Sequence, residues 1–291
     1  MSGRGGAAVL GTGAMGSGIA VRLAEAGRAV RTWNRTAGRA DVGHPGAEPC
    51  ETPEKALAGA DHVLLVLSDD RALREVVGVV AGAVAEADRP PLVLALGTVA
   101  SATVRDLATR VPLLDVGMLG NPMHARTGDL RLYVGGDADR VEAARPLLDD
   151  LGKDVRHVGP LGAGMDLKLA LNLLMGLEMQ ALAEVAALAG RLGLDRRSVL
   201  EIVGGSGFAS PVMRFKGTRM AAGRYGDPDF RLALMTKDLG LAAAAADAAG
   251  PALPMTGAAL RSHEAACADG WGDHDCAAIA AALDGGGPGD H

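Results

Sequence analysis

The 291-residue chain is 48% hydrophobic and 22% charged, the balance of a globular protein with length for two ordinary domains. Its 29 Lys and Arg against 35 Asp and Glu give a formal net charge of −6, which argues against general attraction to nucleic acid or to an anionic membrane surface. Three scattered cysteines, Cys50, Cys267 and Cys276, form no CxxC pair and no zinc-type spacing with histidine, so reduced thiols and no metal site are expected.

The opening MSGRGGAAVLGTG lacks the apolar core of a signal peptide, and no long uncharged apolar run suggests a membrane span. A cytoplasmic protein is the expectation. AAVL (7–10), AVRTWN (29–34), HVLLVLS (62–68), PLVLALG (91–97) and VPLLDVG (111–117) read as strands, each followed by a turn and an amphipathic segment. Continuous apolar runs of this kind suit strands buried on both faces, so the alternation predicts a doubly wound parallel sheet. DLRLYVGGD and KDVRHVGP read as two further short strands that close a first domain over residues 1–160. Beyond Pro160 the patterns are helical only: 163–192, RRSVLEIVGGSG, FRLALMTKDLGLAAAAADAAG, TGAALRSHEAACADG and HDCAAIAAAL. Residues 161–291 are therefore expected to form an all-α domain, joined to the first by the long helix. Its Gly-rich tail, from about 284 to 291, is expected to be disordered.

Directly after the first strand, GTGAMG fits G-x-G-x-x-G through Gly11, Gly13 and Gly16. Gly11 permits a tight turn, Gly13 lets backbone approach a pyrophosphate, and Gly16 lets the following helix pack closely. The helix N-terminus attracts the phosphate charge. Ala14 and Met15 in the same turn, and Leu67 at the end of HVLLVLS, complete the backbone set expected to line a dinucleotide. The second strand ends in WNRT, where an NAD site would need a carboxylate to hold the ribose 2′-hydroxyl. No acid stands there. Arg35 can pair with a 2′-phosphate while Asn34 and Thr36 donate to it, so NADP is the expected cofactor.

GMDLKLALNLLMGLEMQ poses a different problem, because a nearly apolar helix carries Lys168 and Asn172 one turn apart on one face. Burying an ammonium group is costly unless the group is paired or put to use. Carbonyl reduction offers a use: a lysine can stabilise the charge growing on oxygen and deliver its proton. Desolvation moves such a lysine toward working pH.

With these residues quoted, the chain resembles the β-hydroxyacid dehydrogenase family, which includes 3-hydroxyisobutyrate dehydrogenases, across residues 6–284. GTGAMGSGIA, NRT, GAGMDLKLALN and FRLALMTKDL carry the likeness. The resemblance implies a Rossmann-type N-terminal domain, Lys168 as catalytic residue, Asn172 as substrate-binding residue, and Thr98 and Lys237 near the nicotinamide. It also implies a homodimer or larger oligomer, with a homodimer expected. The family's substrate loop, D-A-P-V-S-G-G-x-x-x-A-x-x-G-x-L, differs here: DVGMLGNPMHARTGDL puts Leu119 where the carboxylate-binding serine stands, keeps Gly120, and replaces the next glycine by Asn121. His124 is the loop's remaining candidate polar contact. The expected reaction is hydride transfer between NADP(H) and a small 3-hydroxyacid or semialdehyde-like substrate. Leu119 keeps open an imine substrate or a carbonyl without a carboxylate.

Overall fold

The computed structural model describes residues 5–36, 38–250 and 253–288. The chain divides into two compact units, Met1–Lys168 and Leu169–His291.

The first unit is built on eight strands: β1 (Ala7–Leu10), β2 (Val30–Trp33), β3 (Ala47–Pro49), β4 (His62–Leu65), β5 (Leu92–Ala95), β6 (Leu113–Leu119), β7 (Leu130–Gly135) and β8 (Gly152–Gly159). They lie in the order β3-β2-β1-β4-β5-β6-β7-β8. Between them run α1 (Ala14–Glu25), α2 (Pro53–Leu57), α3 (Asp70–Glu86), α4 (Ser101–Leu107), α5 (Pro122–Thr127) and α6 (Ala138–Leu151). Strand order reverses on either side of β1, the mark of a doubly wound sheet.

One strand departs from the expected parallel pairing, and another is not expected from the sequence. β7 runs antiparallel to β6, with Gly117 opposite Tyr133 and Leu119 opposite Arg131. The connection over 120–129 is too short for a parallel crossover, so the chain turns back beside β6. β3 escapes a sequence pattern altogether, since Ala-Glu-Pro has no apolar run; Pro49 is tolerated because β3 is the sheet edge.

The sheet buries both faces, as continuous apolar strands require. Leu114, Val116, Met118, Leu130, Leu132 and Val134 join α1 and α6 residues on one side. Val63, Leu65, Val93, Ala95 and Leu113 join α3 and α4 residues on the other, and Met165 belongs to this second cluster.

α7 (Ala163–Arg191) follows β8 and is long and apolar enough to cross a membrane by length and composition alone. Within the second unit, however, its Met179, Leu182, Ala183 and Ala186 sit in a protein core with Trp271, Met235 and Leu239. The division between the two compact units falls inside α7, whose start packs on β6. The second unit continues with α8 (Arg196–Gly205), α9 (Pro211–Ala222), α10 (Leu232–Ala249), α11 (Pro254–Ala268) and α12 (Ile279–Leu283). α9 carries buried Lys216, whose Nζ lies 2.9 and 2.6 Å from the two carboxylate oxygens of fully buried Asp275. Of the tail, 289–291 lie outside the described residues, while the Gly286 carbonyl accepts from Trp271 Nε1 at 3.3 Å.

Candidate functional site

The glycine turn between β1 and α1 is shaped by contacts that a side chain would destroy. Gly11 has φ +101, and a Cβ there would lie 2.3 Å from the Val66 carbonyl oxygen. A Cβ on Gly16 would lie 1.9 Å from the Gly11 carbonyl oxygen. Gly13, by contrast, is the N-cap of α1, supplies no side-chain cap, and faces open space. The first turn of α1, including Ala14 and Met15, is thus left with uncapped N–H groups beside an open approach, the requirement of a pyrophosphate. A dinucleotide fits these residues.

Leu67 stands beside this turn. Its Cδ2 lies 3.1 Å from the Cβ position of Gly11, and its carbonyl oxygen 1.9 Å from that of Gly97. The C-terminal ends of β1, β4 and β5 therefore meet here, with half-buried Thr98 next in the chain. At the end of β2, Asn34 Oδ1 accepts from the Thr12 N–H at 3.3 Å, which ties WNRT to the glycine turn. Arg35 is 70% exposed and lies 3.8 Å from Glu75. An exposed pair of this kind is worth at most about 1 kcal/mol, so Arg35 remains able to take another anion. Thr36 is exposed beside it. Arg39, not among the expected residues, joins this group: its carbonyl accepts from Thr12 Oγ1 and its side chain is exposed.

One face of β6 sets the position of Lys168. Asp115, Gly117 and Leu119 alternate with core residues and so project to the same side. Asp115, fully buried, accepts from the N–H groups of Gly162 and Met165, both at 2.7 Å. Burial pushes its carboxyl above the usual range, and these two bonds oppose the shift. Asp115 thereby caps the start of α7. Two residues on, the bare Gly117 lets that helix approach: a Cβ there would lie 2.5 Å from the Gly164 carbonyl oxygen and 3.1 Å from Lys168 Cβ. Lys168 is half-buried at the C-terminal end of the sheet, on the face that Leu119 continues.

The loop after β6 is more ordered than its sequence suggests. Asn121 caps α5 by accepting from the His124 N–H at 3.0 Å, and His124 Nδ1 accepts from the Asn121 N–H at 3.1 Å. Gly120 has φ +150 at the junction. His124 is thus on a short helix, not in an irregular loop, and one ring nitrogen is already engaged.

In the second unit, Asn172 is 2% exposed and its Nδ2 donates to Oδ2 of Asp238, itself 1% exposed. Lys237 Nζ lies 3.0 Å from the other oxygen of Asp238. Asp238 therefore holds two expected site residues at once. Sequence reading stopped at the lysine of KDL; the acid beside it was the available signal. Among the described residues no group of His, Cys, Asp or Glu could hold a metal ion.

Residues 7–159 match the family model for the NAD binding domain of 6-phosphogluconate dehydrogenase, and residues 162–283 match that for the NAD-binding of NADP-dependent 3-hydroxyisobutyrate dehydrogenase. Glyoxylate/succinic semialdehyde reductase 2 of Arabidopsis thaliana is 31% identical over 283 residues, covering 94% of this chain and 78% of that protein. Among solved structures, 3-hydroxyisobutyrate dehydrogenase of Mycobacterium tuberculosis with L-serine superposes with a TM-score of 0.84 at 27% identity, covering 96% of this chain and 99% of that one. An imine reductase from Pseudomonas sp. shares the fold, with a TM-score of 0.60 at 22% identity and coverage of 96% and 99%.

Proposed function

This chain belongs to the β-hydroxyacid dehydrogenase family of nicotinamide-dependent oxidoreductases acting on CH–OH groups, and on that premise we propose that it uses NADP(H) to interconvert a small carbonyl compound and its alcohol, with Lys168 as general acid and base. The observation that carries this reading is the close approach of the start of α7 to bare Gly117, where an added Cβ would lie 3.1 Å from Lys168 Cβ, near the C-terminal end of β6 where ligands of doubly wound sheets bind. When bound, NADPH would supply the hydride for the carbonyl carbon. Lys168 stabilises the negative charge that develops on oxygen and gives that oxygen a proton from Nζ, leaving an alcohol and a neutral amine that solvent reprotonates. In oxidation the neutral amine removes the hydroxyl proton. Asn172, oriented by Asp238, hydrogen-bonds to the substrate oxygen, and Thr98 and Lys237 serve the nicotinamide end.

Cofactor choice follows from the end of β2. Arg35, with Asn34, Thr36 and Arg39, would hold a 2′-phosphate; the stretch itself has no carboxylate, and Glu75 is the acid that the phosphate would replace beside Arg35. Following NADPH and NADH separately at the nicotinamide absorbance band against a panel of aldehydes tests the assignment. NADPH should be preferred by tenfold or more; equal or better turnover with NADH would overturn it.

The protein acts in the cytoplasm as a homodimer in this reading. Phe208 at 89%, Ile202 at 70% and Phe215 at 52% exposure are large apolar side chains of the helical unit that a second copy would cover. Light scattering that returns a monomer at micromolar concentration would contradict this. A second reading, NADPH-dependent imine reduction, is favoured by Leu119, and turnover of a cyclic imine with none of any aldehyde would establish it in place of the first.

A further inference from the structure

We propose that the non-reacting end of the substrate, where it meets the end of β6, is apolar and uncharged, and that this chain selects against carboxylate-bearing carbonyls. The inference rests on the reading of Lys168 as the catalytic group. Three observations carry it.

Leu119 shares a strand face with Gly117, whose missing Cβ would lie 3.1 Å from Lys168 Cβ. Two residues along a strand advance roughly 7 Å, so Leu119 is the next side chain on the face that supports Lys168. It is half-buried at the strand's end. An isobutyl group offers no hydrogen bond to a carboxylate, and a carboxylate laid against it would lose water without replacement.

Two of the donors that follow Leu119 are also engaged. The Asn121 N–H is bonded to His124 Nδ1, and the His124 N–H to Asn121 Oδ1. These two N–H groups at the start of α5 are satisfied from within by the reciprocal cap. A ligand carboxylate would have to displace bonds already made.

Besides Lys168, the cation paired directly with Leu119 is Arg131, opposite it across β6 and β7. Its other neighbour is Asp154 on β8, in register with it. Arg131, together with the closer Arg156, helps hold the Asp154 carboxyl below the usual range. The charge of Arg131 thus has an acidic partner on the side away from Leu119.

The test compares succinic semialdehyde with pentanal, an uncharged aldehyde of similar length, using the full chain and NADPH. Wild type should show at least about tenfold higher kcat/KM for pentanal, the scale of one charge-assisted hydrogen bond lost. Leu119→Ser should lower KM for succinic semialdehyde by about tenfold while changing kcat little. Arg131→Ala should leave both ratios unchanged. A wild-type preference for succinic semialdehyde would overturn the proposal, and its loss in Arg131→Ala would identify Arg131 as the carboxylate anchor. Thermal shift of the NADP+ complex gives a readout independent of turnover: pentanol should stabilise it at lower concentration than 4-hydroxybutyrate, and the reverse order would overturn the proposal. Lys168→Ala separates the two readings, since full activity in that variant defeats the catalytic assignment whatever the aldehyde preference.

Discussion

Gly117→Ala adds one carbon where the structure has no room for it. The new Cβ would lie 2.5 Å from the Gly164 carbonyl oxygen and 3.1 Å from Lys168 Cβ, whereas ordinary contact begins at 3.4 Å. The nearer contact is with helix backbone, so relief requires the start of α7 to move away from β6 by about 0.9 Å. Asp115 resists that movement through its two 2.7 Å bonds to Gly162 and Met165. Overpacking of this kind costs about 1–3 kcal/mol, which urea denaturation would register as a lower midpoint. The catalytic effect should be larger, because a displacement of about 1 Å at a reacting group can cost on the order of 10²-fold in rate. NADPH affinity should hold, since the glycine turn after β1 is built from other contacts. Steady-state kcat measured beside the NADPH dissociation constant makes the comparison. A Gly117→Ala enzyme within threefold of wild-type kcat would refute the claim that Gly117 sets the position of Lys168.

Further outcomes follow from other parts of the molecule. Arg35→Ala should weaken NADPH binding by roughly tenfold or more, as loss of a charge-assisted bond implies, and leave NADH binding unchanged; titration of both coenzymes checks it. Lys216→Met leaves Asp275 buried without its cation and should cost about 3–5 kcal/mol in urea denaturation, with a cost below about 1 kcal/mol contradicting the assignment. Acid should also weaken the fold through His263, whose burial holds its pKa below 6.5 so that it folds neutral. Below pH 6.5 the unfolded chain takes up a proton that the folded chain refuses, so this contribution to stability is present at neutral pH and is lost as pH falls toward the folded-state pKa. The slope per group is at most about 1.4 kcal/mol per pH unit. His263→Leu should flatten stability between pH 7.5 and 5.5, and an unchanged slope would refute it.

Much of this architecture is written in local sequence. β1, β4 and β5 announce themselves as short apolar runs, and the glycine turn is a spacing that few other structures require. Lys168 and Asn172 stand out because polar groups on an apolar helix need a reason. Gly176, one turn beyond Asn172, is small for a packing reason: a Cβ there would lie 2.7 Å from Leu239 Cδ2 of α10. The features that sequence hides depend on distant partners. Asp115 gains its role from residues 47 and 50 positions later, and Asp238 from Asn172, 66 positions earlier. β3 has no apolar pattern to read, since the sheet edge asks only for backbone pairing. α5 is concealed within NPMHART because its stability comes from the reciprocal Asn121–His124 cap and not from an apolar stripe. The direction of β7 follows from connection length, a clue present in the chain but visible only once both strands are fixed.

The most direct test of the account is the kcat of Lys168→Ala against wild type with NADPH and the best carbonyl substrate, measured together with NADPH affinity. General acid–base groups contribute about 10²–10⁴-fold, so kcat should fall by that factor while NADPH still binds. A variant that keeps more than a tenth of wild-type kcat would contradict the assignment of Lys168 as the proton donor.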